Sequence, residues 1–130
     1  MTFRFARHTN DLEKIKSFYV NILGLEVLGG FENHDGYDGI FLGKPSENWH
    51  LEFTKSAETA VHTFDDDDLL VFYPNTKLEF EVILENVKKH GVPFIDAKNP
   101  YWKNLANTEG KMFMDPDGYR IVVTNLKMGE

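Results

Sequence analysis

A β-α-β-β-β order that runs twice along 130 residues predicts an α+β protein whose duplicated modules form a curved, partly open β-barrel. Three observations carry this expectation. Apolar residues recur at helical spacing in two stretches only, from Leu12 and from Leu78, and elsewhere fall in short extended runs. Each helical stretch opens on a capping pair, Asn10 with Glu13 and Thr76 with Glu79, and closes at a glycine, Gly24 or Gly91. Between the halves lies a weakly periodic stretch ending in four aspartates, Asp65 to Asp68, and four like charges do not enter a core.

Taken in order, Thr2 to His8 alternates, with Phe3 and Phe5 on one face and Arg4, Ala6 and His8 on the other. The first helix follows, its stripe made of Leu12, Ile15, Phe18, Tyr19, Ile22 and Leu23, so Phe18 and Tyr19 belong to the core. Extended pieces then run over Glu26 to Phe31, Gly39 to Leu42 and Trp49 to Thr54, separated by a turn through Asn33 to Asp38 and a loop at Lys44. In the second half Leu69 to Tyr73 is a strand, and Leu78, Val82, Ile83 and Val87 mark the second helix. Val92 to Ala97 is extended, Lys98 to Glu109 is a long aromatic loop, and Lys111 to Met114 leads through a type I turn at Asp115 to Gly118 into Tyr119 to Asn125. These elements describe one domain over 1–130, with module one at about 1–55, a linker at about 56–68 and module two at about 69–126.

Composition narrows the function classes. A chain of this length buries roughly two-thirds of its unfolded surface, so it needs no disulfide or structural metal to fold. It has no cysteine, which excludes thiol nucleophiles and cysteine metal sites. A formal charge of −7 repels polyanions, so nucleic acid is not an expected partner. No apolar run reaches the ~20 residues of a membrane span, and the N-terminus lacks the pattern of a signal peptide; a soluble cytoplasmic protein is expected. Gly29 and Gly30 lack the spacing of a phosphate loop, and no serine sits in a nucleophile elbow. Aromatic residues make up 14% of the chain, and such rings fill a core or line a pocket.

Two stretches carry a family resemblance over nearly the whole chain. Residues 10–25, NDLEKIKSFYVNILGL, resemble the first-helix signature of the vicinal-oxygen-chelate superfamily, and residues 114–123, MDPDGYRIVV, resemble its final hairpin and strand. That superfamily includes glyoxalase I, fosfomycin-resistance enzymes, extradiol dioxygenases and bleomycin-resistance binding proteins. The resemblance implies that its enzymes' divalent metal would be held by four positions, which fall here on Arg4, Glu52, Leu69 and Val122. Only Glu52 offers a donor: guanidinium has no lone pair to give, and Leu and Val have no donor atom. The resemblance further implies a homodimer.

Two readings stay open for the site. In one, Arg4 and Glu52 form an ion pair in the space of the lost metal, structural or orienting a ligand. In the other, a divalent metal is displaced to His8, His50 and Glu52, which alternation puts on the same side as the metal positions. Tyr101 and Trp102, in the polar loop, would contact a ligand or a second subunit, and Tyr73 joins them as a ring candidate. His34, His62 and His90 fall in turns or linkers and are expected in solvent. The function expected from these residues is that of a metal-free small-molecule-binding protein of the bleomycin-resistance type, taking a cationic or aromatic ligand. The alternative is a superfamily enzyme, with the displaced metal or with Glu52 as a metal-free general base.

Overall fold

Strand β1 (Phe3–His8), helix α1 (Leu12–Asn21) and strands β2 (Glu26–His34), β3 (Tyr37–Gly43) and β4 (Trp49–Lys55) make up the first of two units, Met1–His62. The second, Thr63–Glu130, holds β5 (Leu69–Phe72), α2 (Lys77–Lys89), a short turn of helix α3 (Pro100–Lys103), β6 (Lys111–Met114) and β7 (Arg120–Val123). The computed structural model describes residues 1–103 and 110–125, the Lys103 side chain excepted; residues 104–109 of the expected loop and the module boundary at 126 lie outside them. Two open sheets result, ordered β1-β4-β3-β2 and β5-β7-β6, with no closed barrel among the described residues.

Local chemistry accounts for the ends of the helices. Asp11 caps α1, accepting from the Lys14 N–H at 3.0 Å. The expected cap, Asn10, instead bonds the main chain of Ala60, accepting from its N–H at 2.7 Å. Both residues can cap, and the linker's need for a partner decides between them. Helix α2 starts as expected: Thr76 accepts from the Glu79 N–H at 3.0 Å. Gly24 and Gly91 take positive φ after the helices, at +72° and +69°, where a side chain would be strained.

Helix α1 packs on β3 and β4, burying Ile15, Phe18 and Tyr19, with the Tyr19 and Phe53 rings 5.1 Å apart. This back face of the sheet also buries Ile40, Leu42 and Leu51. At its end lies Arg7, 6% exposed, with its guanidinium 5.2 Å over the Phe53 ring and Nη2 3.5 Å from the Tyr19 hydroxyl. Strand β1 is an edge strand, so its apolar residues do not share in this burial: Phe3 is 62% exposed and Phe5 is also exposed. In the second unit Phe113, Ile121 and Val123 are fully buried, and α2 buries Phe80, Ile83 and Val87.

One expected strand is absent. Val92 to Ala97 contributes only an isolated bridge, Ile95 to Met112, because Pro93 has no N–H for a ladder. The expected loop also differs, since residues 100–103 form a helical turn started by Asn99, whose side chain accepts from the Tyr101 N–H at 3.0 Å.

Register makes the duplication quantitative. In the first unit β1 and β4 run parallel with Arg4 opposite His50 and Ala6 opposite Glu52, and Phe41 of β3 lies opposite Glu52. In the second, β5 and β7 run parallel with Leu69 opposite Arg120 and Val71 opposite Val122, and Met112 of β6 lies opposite Val122. Arg4, His50, Glu52 and Phe41 therefore occupy the same ladder positions as Leu69, Arg120, Val122 and Met112. The repeat lies in backbone pairing, and the side chains placed on it differ.

Candidate functional site

The front face of the first sheet, opposite α1, collects the polar candidates. Alternation along β1 and β4 brings Arg4, Ala6 and His8 to one side together with His50, Glu52 and Thr54. Arg4 is the hub. Its Nε donates to His50 Nε2 at 2.8 Å and its Nη1 to Glu52 Oε1 at 3.1 Å. Beneath the guanidinium lies the Phe41 ring, with its centroid 4.6 Å from Cζ. Phe41 also meets the His50 ring edge-on at 5.9 Å. Since arginine can only donate, His50 Nε2 accepts, and the neutral ring carries its proton on Nδ1.

His8 stands apart from this cluster. It lies opposite Thr54, four residues along the strand from the Arg4–His50 pair, or about 13 Å at strand rise. Its Nδ1 pairs with Thr54 Oγ1 at 2.8 Å and its Nε2 with Ser56 Oγ at 3.1 Å. The expected His8, His50 and Glu52 metal set is therefore not assembled: two-residue steps spread its members along the strands, and Arg4 fills the space between His50 and Glu52. Among the described residues no group of three or more His, Asp or Glu is placed to hold a metal. The superfamily's own positions do not fit a metal either, because Arg4, Leu69 and Val122 supply no donor and Glu52 already faces a guanidinium.

The linker is less free than its composition suggests. His62 is half-buried rather than in solvent, and its Nε2 donates to the His8 carbonyl at 2.7 Å. With Asn10 on Ala60 and His8 on Ser56, this ties residues 56–62 to the end of β1. His34 and His90 are exposed, as their turn contexts imply. The aspartate run folds on itself, with Asp65 Oδ1 accepting from the Asp67 N–H at 2.8 Å.

In the second unit the equivalent face is apolar. Ala97, Met112 and Val122 form a buried cluster, against which Leu69, Val71, Ile95 and Trp102 pack. Trp102 thus belongs to this cluster, while its neighbour Tyr101 is exposed and meets the indole edge-on at 4.7 Å. Tyr73 is half-buried just beyond β5, outside the cluster. Arg120 borders the cluster: its Nη2 lies 3.5 Å from Asp66 Oδ1, and its Nη1 donates to the Asp96 carbonyl at 3.5 Å and approaches Met112 Sδ at 3.9 Å.

Sequence reading missed the aromatic floor. Phe31 lies across Gly39, where an added Cβ would stand 2.3 Å from two ring carbons, and its ring centroid is 6.1 Å from that of Phe41. Only the β2–β3–β4 register puts both rings on the Glu52 face, although the lone glycine in an apolar strand is a signal of close approach. An open groove of ≈ 680 Å³, lined in part by Leu12, Lys16, Glu32, Lys55 and by Phe31 and Gly39 of that floor, includes none of Arg4, His8, His50 or Glu52. No helix among the described residues is long and apolar enough to cross a membrane.

Comparison with known proteins agrees with this architecture. Residues 3–54 match the YycE-like N-terminal domain and residues 67–125 the YycE-like C-terminal domain. The uncharacterised protein YycE of Bacillus subtilis is 40% identical over 128 residues, covering 95% of this chain and 87% of that one. Its crystal structure, described as a YycE protein of unknown function and a candidate glyoxalase/fosfomycin-resistance protein, aligns with a TM-score of 0.83 at 39% identity, covering 99% and 93% of the two chains. Trypanothione-dependent glyoxalase I of Leishmania major aligns at 0.71 with 24% identity over 96% and 86%. TnmS3, an antibiotic-binding protein of a Streptomyces species, aligns at 0.65 with 21% identity over 95% and 93%. These last two share the fold, and the fold hosts both a catalyst and a binder. By matching family models over both halves and a 40% identical relative over nearly its whole length, the chain belongs to the YycE-like family, within the vicinal-oxygen-chelate superfamily.

Proposed function

We propose that the protein binds a small aromatic molecule on the front face of the β1–β4–β3 strands, without the metal that superfamily enzymes use. One observation carries the reading: the only metal-ligand position that kept a donor, Glu52, is bonded to the guanidinium that replaced another. A divalent cation entering there would have to displace Arg4 and would find one carboxylate. The rings of Phe31 and Phe41, inclined at 56° with centroids 6.1 Å apart, supply apolar surface at that pair, Phe41 under the guanidinium and Phe31 next to it. A net charge of −7 favours cationic aromatics at long range. The reading extends to a homodimer in the cytoplasm.

The test is elemental analysis of protein purified without chelator, then calorimetry with Ni²⁺, Zn²⁺, Mn²⁺ and Fe²⁺. The expected result is no stoichiometric metal and no tight binding. Tight metal lost in both His50→Ala and Glu52→Gln would overturn the reading in favour of an enzyme. A thermal-shift screen of aromatic compounds supplies the positive arm, since a ligand of the folded state raises Tm. The competing reading, Glu52 as a metal-free general base, would be favoured by turnover that Glu52→Gln abolishes without unfolding the protein.

A further inference from the structure

We infer that Arg4, not Glu52, is the charged group a ligand touches, and that the face selects a planar aromatic anion such as an aryl carboxylate. The inference rests on the small-molecule-binding reading and adds the ligand's charge and the division of roles. Glu52 is 15% exposed at its side chain and Arg4 48%, so an incoming solute meets the guanidinium first. Arg4 spends Nε on His50 and Nη1 on Glu52, and Nη2 has no partner among the described residues. Those two bonds and the Phe41 ring fix the guanidinium plane, leaving a pre-oriented donor edge.

Charge does not forbid the anion. A carboxylate in contact with Nη2 touches the guanidinium but is held off from Glu52, which bonds the Nη1 side, so the attraction exceeds the repulsion. His50 is neutral in this arrangement, its Nε2 accepting from Arg4. The Phe31 ring, 6.1 Å from the Phe41 ring that carries the guanidinium, gives the aryl part its surface. Glu52 is then a positioning residue, and the protein's overall acidity acts only at a distance.

The experiment titrates the whole protein with 1-naphthoate, 1-naphthamide and 1-naphthylmethylammonium, following the Arg4 Nε–H and the His50 ring nitrogens by NMR. Naphthoate is expected to shift the Arg4 Nε–H saturably and to bind about tenfold or more tighter than the amide, the usual worth of a charge-assisted hydrogen bond. Arg4→Met should erase that preference, and Glu52→Gln, whose amide oxygen still accepts from Arg4, should keep it. Equal binding of naphthoate and amide, preference for the ammonium, or loss of the preference in Glu52→Gln but not in Arg4→Met overturns the inference while leaving small-molecule binding intact. If none of the three probes moves a front-face resonance, the aromatic-ligand reading falls with it.

Discussion

The two halves place opposite chemistry on the same scaffold. At matched ladder positions the first unit carries Arg4, His50, Glu52 and Phe41, and the second carries Leu69, Arg120, Val122 and Met112. In the first unit, ion pair and imidazole are bonded to one another and remain partly open to water. In the second, all but Arg120 join a cluster around Ala97, and Arg120 borders it, with Nη1 3.9 Å from Met112 Sδ and 3.5 Å from the Asp96 carbonyl while Nη2 faces Asp66. Strand pairing constrains only the backbone, so a repeated sheet can keep its register while one copy becomes a recognition surface and the other a core.

If that contrast is real, the largest effect comes from putting a charge into the apolar copy. Val122→Asp buries a carboxylate at a position 1% exposed, among Ala97, Met112 and Leu69. The nearby cation, Arg120, is already held by Asp66 and the Asp96 carbonyl, so the expected loss is about 4 kcal/mol or more, or failure to fold, read by urea denaturation. A loss below about 1 kcal/mol would mean that this face is wet and that the two copies do not differ in this way.

Trp102→Ala comes next. A fully buried tryptophan costs about 3–5 kcal/mol to truncate, and Trp102 is half-buried, so about 2 kcal/mol is expected. An unchanged midpoint would detach Trp102 from the cluster and restore it as a ligand or interface residue. The third test lies in the polar copy. In Gly39→Ala the new methyl meets the Phe31 ring at 2.3 Å, and a half-exposed ring can swing aside at a cost of about 1 kcal/mol. Adding Phe31→Ala should remove most of that cost, because the clash is then gone; a cost that persists would place the strain in the backbone.

What could be read from the amino acids follows the reach of each signal. Helical stripes, glycine stops and the Asp115 turn are local, and Ile15, Tyr19, Ile83 and Val87 lie buried where period placed them, whereas Leu78 and Val82 of the expected second stripe are exposed and Phe80, outside it, is buried in their stead. Alternation was enough to put Arg4, His50 and Glu52 on one face. It could not supply the register between β1 and β4, and that register separates His8 from His50, so the metal set is not brought together among the described residues. The aromatic floor was hidden for the same reason, since Phe31 and Phe41 join Glu52 only through two antiparallel pairings. Arg7 shows the converse: sequence reading passed over it, yet it shares a strand face with Phe3 and Phe5 and is buried, and a ring stack and a tyrosine hydroxyl are among the contacts that make its burial tolerable.

The smallest effect is the most telling about the polar copy. Glu52→Gln removes an ion pair whose arginine is 48% exposed, and such pairs are worth about 0–1 kcal/mol because water screens them and ordering two long side chains costs entropy. Stability should therefore fall by less than about 1 kcal/mol, against several for Val122→Asp at the equivalent position. The local effect should be larger than the global one. Arg4 keeps its Phe41 stack and its His50 bond but loses the charge that holds Nη1, so its Nε–H should sharpen or exchange faster while the fold is unmoved. A drop of 3 kcal/mol or more, by contrast, would mean that Arg4 and Glu52 are a buried structural pair whose breakage strands a charge. The two copies would then differ in composition alone, each serving as core.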